Sequence, residues 1–126
     1  MWYNLWEFVK ALEVWNLKGL VIKSPYIEDI LNGIKTWEVR GSNTNIQGRI
    51  VLLKSGSGMA LGTVEIYDSI EIDLDEYNTW DYRIRNNKAL ANKLPYKRTF
   101  KWLLKNPIWY DKMKPYTPPF RCNNMG

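Results

Sequence analysis

The sequence predicts an α+β domain built on a mixed, mostly antiparallel sheet with flanking helices. Three observations carry this. A strand, a short helix and a second strand follow one another between residues 17 and 40. Two longer apolar strand patterns come next, at residues 49–54 and 59–72. A final segment, residues 97–105, alternates basic and ring-bearing positions as a strand does.

Residues 2–15 read as an amphipathic helix. Trp2, Leu5, Trp6, Val9 and Leu12 recur at helical spacing, and Phe8, Val14 and Trp15 widen the stripe. This divides the chain into an N-terminal extension, residues 1–16, and a domain, residues 17–126. The favoured role of the extension is to pack over an open end of the domain. Its alternative is self-association or partner binding, because an uncovered stripe this apolar is a liability.

Residues 17–23 form the first expected strand. Ser24-Pro25 then starts a helix, with Ser24 as N-cap and proline at the first helical position. Ile27, Ile30, Leu31 and Ile34 follow at i, i+3, i+4 and i+7, a core-facing stripe. Gly33 suits the left-handed position that ends a helix. A strand leaves from Thr36, so Thr36, Glu38 and Arg40 share one face. Trp37 and Val39 share the other, which is expected to be the buried one. Lys35 sits at the turn, where parity does not assign a direction. In isolation such a segment is most often a half-exposed strand with an ion pair.

Residues 41–48 are a polar loop. Ile50-Val51-Leu52-Leu53 is a continuous apolar run, expected to be buried on both faces. Ser55-Gly56-Ser57-Gly58 reads as a hairpin turn, since the Lys-Ser/Thr ending of a phosphate-binding loop is absent. Residues 75–91 read as a helix, followed by a turn near Pro95. The tail from Pro115 is rich in proline and asparagine.

Composition bounds the chemistry. The chain has 126 residues, enough for one core and too few for two. It contains no histidine, which excludes Ser-His-Asp and Cys-His mechanisms within the chain and removes the commonest zinc ligand. No metal and no cofactor are expected. A single cysteine, Cys122, excludes a disulfide framework and fits a reducing, cytoplasmic setting. No apolar run reaches membrane-spanning length, and Glu7, Lys10 and Glu13 interrupt the N-terminal apolar residues, unlike a secretory leader.

The net charge of +5 conceals a division. Residues 65–81 hold seven acids and no base, whereas residues 82–126 hold eleven bases and one acid, Asp111. Lys97, Arg98 and Lys101 interleave with Phe100 and Trp102, a combination suited to a phosphate backbone with stacked bases. The plainer account is a strand with a solvated lysine face. The seven Trp and eight Tyr suit base stacking as well as core filling.

Taken together, Leu20-Val21-Ile22-Lys23-Ser24-Pro25, the helix through Ile30-Leu31-Asn32-Gly33, and Lys35-Thr36-Trp37-Glu38-Val39-Arg40 resemble an ASCH domain. The core has the form Gly-x-Lys-x-x-Glu-x-Arg. Gly48-Arg49-Ile50-Val51-Leu52-Leu53, Gly62-Thr63-Val64-Glu65-Ile66, Phe100 to Pro107 and Lys114-Pro115-Tyr116 are also placed as in that family. The resemblance implies a small PUA-like β-barrel that binds RNA or a nucleotide in a cleft beside the motif. Ser24, Tyr26, Lys35, Thr36, Glu38 and Arg40 would line that cleft, with Lys97, Arg98 and Lys101 on a basic rim. Arg40 would grip a phosphate or a base edge. Glu38 would accept from an amine or hold Arg40, Lys35 would bind phosphate, and Tyr26 would stack.

Two alternatives belong to other classes. Some ASCH-like proteins are similar to an amidohydrolase of N4-acetylcytidine, and others have been described as ribonucleases. If this chain is such a metal-independent hydrolase, Lys35 and Glu38 are its catalytic candidates. The amidohydrolase pattern Lys-Thr-x-Thr is kept at Lys35-Thr36, but Glu38 replaces its second threonine. The remaining alternative is a non-catalytic interaction module using the Trp-rich helix.

Overall fold

A computed structural model of the protein describes residues 17–116. The extension at residues 1–16, with its expected helix, and the tail from residue 117 lie outside the described residues. Five strands and three short helices follow one another: β1 (Gly19–Ile22), α1 (Tyr26–Leu31), β2 (Trp37–Arg40), β3 (Gly48–Lys54), β4 (Met59–Ile72), α2 (Leu74–Thr79), α3 (Asp81–Arg85) and β5 (Thr99–Pro115). The strands form one sheet in the order β1-β3-β4-β5-β2. Only β1 and β3 run parallel; the other pairs are antiparallel. This is the mixed, mostly antiparallel α+β arrangement expected from the sequence.

The expected barrel is not closed. β1 and β2 end the sheet, and no backbone ladder joins them. Instead the Arg40 guanidinium donates from Nη2 to the Val21 carbonyl at 2.9 Å. A side chain thus crosses the opening that a closed barrel would seal with main-chain bonds.

The main core lies on one face of the sheet. Alternate residues supply it: Leu20 and Ile22 from β1, Ile50 and Leu52 from β3, Val64 and Ile66 from β4, and Phe100, Trp102 and Leu104 from β5. α1 lies over this face with Ile27, Ile30 and Leu31. A smaller cluster of Val51, Leu53, Ala60 and Tyr116 occupies the opposite face. The apolar run of β3 is therefore buried on both sides, as its composition required.

Local structure departs from expectation in three places. α1 begins at Tyr26 with Pro25 at the N-cap and no side-chain cap. The Ser24 hydroxyl is instead bonded to the Glu28 carboxylate at 2.7 Å. The helix expected over residues 75–91 is two short pieces. Asp73 caps the first by accepting from the Glu76 amide, and Trp80 interrupts the run with extended backbone, φ −62° and ψ 124°. Finally, β5 continues to Pro115, well past the expected end at 105. Register shifts along β4 and a positive φ at Asn106 accommodate Pro107, which lacks an amide to donate.

The close approach of β4 and β5 rests on Gly62. A Cβ there would stand 2.2 Å from the Ile108 carbonyl oxygen and 2.8 Å from a Leu31 methyl. Gly62→Ala is expected to destabilise the fold by about 1–3 kcal/mol through overpacking. Urea denaturation followed by tryptophan fluorescence measures this, and an unchanged midpoint would show that the strands part without cost.

Candidate functional site

The turn after α1 aims Lys35 inward. Gly33 has φ +77°, and the amides of Ile34 and Lys35 both donate to the Asp29 carbonyl at 2.9 and 3.0 Å. This double bond to one oxygen folds the chain back, and the Lys35 side chain ends only 4% exposed. Its ammonium donates to Glu38 Oε1 at 2.7 Å and to the Trp37 carbonyl. It also lies 5.0 Å from the centre of the Trp80 ring and 5.7 Å from that of Tyr82. Burial lowers the Lys35 pKa from its ordinary value, and the Glu38 carboxylate works against that.

The face assignment of β2 is the reverse of the expected one. Glu38 pairs with Trp102, and Arg40 with Phe100, so the two charged residues occupy the core side of the sheet. Trp37 and Val39 pair with Leu103 and Lys101 on the outer side. Alternation holds, but the charged face is the inward one. Glu38 Oε2 also receives Arg40 Nη2 at 3.4 Å, so the carboxylate stands between two cations. The Arg40 guanidinium lies 5.9 Å from the centre of the fully buried Trp102 ring.

Trp37 is not lost from the surface. Its ring stacks on Trp80 with centroids 5.0 Å apart and planes 19° apart. The Lys101 ammonium sits 3.8 Å from the Trp37 ring centre and pairs with Glu76. Trp80 continues to Tyr82, centroids 5.5 Å apart. The Tyr82 hydroxyl donates to Asp29 Oδ2 at 2.7 Å. Burial first, and then this carboxylate, push its phenol well above the ordinary tyrosine value.

A cavity of about 300 Å³ opens beside these rings. Trp37, Trp80 and Tyr82 wall it, and Thr36, Thr79, Asp81, Arg85, Gly33 and Ile34 complete its lining. The structure thus brings Lys35, Thr36, Glu38 and Arg40 to one end of the sheet. Tyr26 joins them edge-on to Tyr82, centroids 6.4 Å apart. Ser24 is exposed at the start of α1.

The rim residues behave differently. Arg98 pairs with Glu71 at 2.7 Å, and Lys101 with Glu76. Lys97 is exposed and has no acidic partner among the described residues. The antiparallel β4–β5 ladder lays the acidic segment against the basic one, and much of the separation seen in the sequence cancels.

Sequence reasoning missed Trp80, Asp81, Tyr82, Arg85 and Lys88. Lys88 reaches over Tyr26 and Tyr82, 4.5 and 5.0 Å from their ring centres. The Trp80-Asp81-Tyr82 run was a readable signal. Two large rings flanking an acid are unusual in an exposed helix of an otherwise polar stretch.

The chain belongs to the ASCH domain family, whose model matches residues 20–114. Among solved structures, it is similar to an ASCH protein from Zymomonas mobilis, with 13% identity and a TM-score of 0.51, covering 72% of this chain and 68% of that one. A tyrosine-to-phenylalanine variant of the same protein gives 13% identity and a TM-score of 0.52, covering 72% and 70%. At that identity the likeness is one of fold. No curated protein matches the chain.

The buried lysine makes stability depend on pH. Lys35 has a lower pKa folded than unfolded, so the unfolded chain binds more protons between its folded pKa and 10.5. Unfolding free energy therefore rises with pH across that window, by at most about 1.4 kcal/mol per pH unit from this group. Lys35→Met should lack that increment. Denaturant titrations of both proteins from pH 7 to 10 test it; parallel curves would show that Lys35 is as well solvated folded as unfolded.

Proposed function

We propose that this ASCH domain binds RNA or a nucleotide in the cavity beside the Gly-x-Lys-x-x-Glu-x-Arg motif. The observation that carries the reading is the ring-walled cavity of about 300 Å³ with cations around it. Its volume lies at the small end of ligand sites, suited to one base or nucleoside. Trp37, Trp80 and Tyr82 supply apolar walls, and Arg85 and Thr36 supply polar contacts. Lys35 and Glu38 hold the turn that forms one side, and Arg40 braces the strand behind it. Ser24, Tyr26 and Lys97 are then outer contacts, with Arg98 and Lys101 engaged mainly through their acidic partners. Membership of a PUA-like family supports the same class of ligand.

A hydrolase is the second reading, and one observation favours it. A desolvated ammonium with a lowered pKa, bonded to a carboxylate, is a competent proton-transfer pair. On this reading Glu38→Gln lowers turnover of RNA or an acylated nucleoside by roughly a hundredfold or more. On the binding reading there is no turnover to lose. Hydrolysis by the wild type that disappears in both Lys35→Ala and Glu38→Gln, with the fold retained, decides for the enzyme.

Titration of single-stranded RNA at several salt concentrations tests the binding reading. Trp80→Ala should weaken binding by roughly tenfold or more, because it removes one apolar wall of the cavity. Lys97→Glu should weaken binding of all sequences alike and make the salt dependence shallower by about one unit. Undetectable binding of RNA and nucleotides at low salt overturns the proposal.

A further inference from the structure

The geometry points to guanine as the base that the cavity selects, with the Asp81 carboxylate reading its Watson–Crick edge. This rests on the binding reading above and adds the identity of the base. Asp81 is among the residues that line the cavity, beside Trp80 and Tyr82, and it is exposed. It makes no ion pair among the described residues. The other acids around the rings are engaged: Glu38 with Lys35, Glu76 with Lys101, and Asp29 with the Tyr82 hydroxyl. Asp81 is the carboxylate left to meet a ligand.

An ionised carboxylate only accepts, and its two oxygens match two adjacent N–H donors. Guanine offers such a pair, its ring N1–H and its exocyclic N2–H. Adenine and cytosine offer one amine beside a bare acceptor nitrogen, which would face the second carboxylate oxygen. Uracil offers one N–H between two carbonyls. The match is therefore to guanine among the four.

A guanidinium, such as an arginine of a protein partner, carries the same donor pair. The local field argues against it. Glu38 offsets Lys35 and Glu76 offsets Lys101, whereas Lys88, 5.0 Å from the Tyr82 ring centre, makes no ion pair among the described residues. Arg85 lines the cavity as well. Its Nη1 donates to the Ile34 carbonyl, which fixes the guanidinium at the wall. A cation entering beside Lys88 and Arg85 is repelled, whereas a neutral base bearing a phosphate is attracted. The cavity combines a carboxylate for the base edge with two cations, Lys88 and Arg85, for the phosphate.

Tryptophan fluorescence titrations with GMP, IMP, AMP, CMP and UMP test this on the full chain. IMP retains N1–H and lacks the N2 amine. GMP should bind about tenfold tighter than IMP and tighter still than the others, the scale of one lost charge-assisted hydrogen bond. Asp81→Asn should weaken GMP about tenfold and leave AMP unchanged, with circular dichroism confirming the fold. Equal affinity for GMP and IMP, or a guanine preference that survives Asp81→Asn, overturns the assignment and leaves the binding reading standing. If no nucleotide and no single-stranded RNA binds, the binding reading fails and the assignment goes with it. Tighter binding of an arginine-containing peptide than of GMP also overturns it.

Discussion

One carboxylate organises the open side of this sheet. Glu38 stands on the inward face of β2, between the Lys35 ammonium at 2.7 Å and the Arg40 guanidinium at 3.4 Å. Both cations have further work. Lys35 ties the turn after α1 to the start of β2, and Arg40 reaches the Val21 carbonyl across the sheet opening. Removing one partner from a buried pair of this kind costs about 3–5 kcal/mol, because the remaining charge is left without compensation. The end strands are thus held at a fixed separation by charged side chains. A ladder of backbone bonds is not needed there, and the site beside them gains polar, titratable walls.

The outer face of β2 depends on that inward commitment. With Glu38 and Arg40 turned to the core side, Trp37 must face outward, where a lone indole would sit in water. Trp80 covers it, and this is the physical reason for the break between α2 and α3. Extended backbone at Trp80 places its ring parallel to Trp37, and the aromatic contact offsets the loss of helical hydrogen bonds at that position. Tyr82 then follows, pinned by Asp29 from α1. The cavity is the space left where the α1–β2 turn and the α2–α3 junction meet.

Charge is handled in the same way. The acidic stretch and the basic stretch lie on β4 and α2 on one side and on β5 on the other. Glu71 meets Arg98, and Glu76 meets Lys101. The exposed Glu71–Arg98 pair contributes little stability. The larger effect of the two pairs is on recognition. They withdraw two cations from a continuous basic surface and concentrate the remaining positive charge around the rings. Lys101 shows both effects, since it caps Trp37 while it pairs with Glu76.

The sequence by itself determined the class of fold, the succession of strands along the chain, and the family through the Gly-x-Lys-x-x-Glu-x-Arg segment. These are local properties. A continuous apolar run marked β3, period-two alternation marked β5, and a glycine able to take φ +77° marked the end of α1. The same alternation grouped Glu38 with Arg40 and Trp37 with Val39. Which group faces the core was decided only by tertiary structure, since parity is symmetric and burial preference pointed the wrong way. Charged residues are ordinarily outside, and here three of them satisfy one another within the fold. Closure was also out of reach of the sequence, because the bond from Arg40 to Val21 joins residues nineteen apart through a side chain. So was Trp80, whose local surroundings favour a helix and whose extended backbone is set by a ring forty-three positions earlier in the chain.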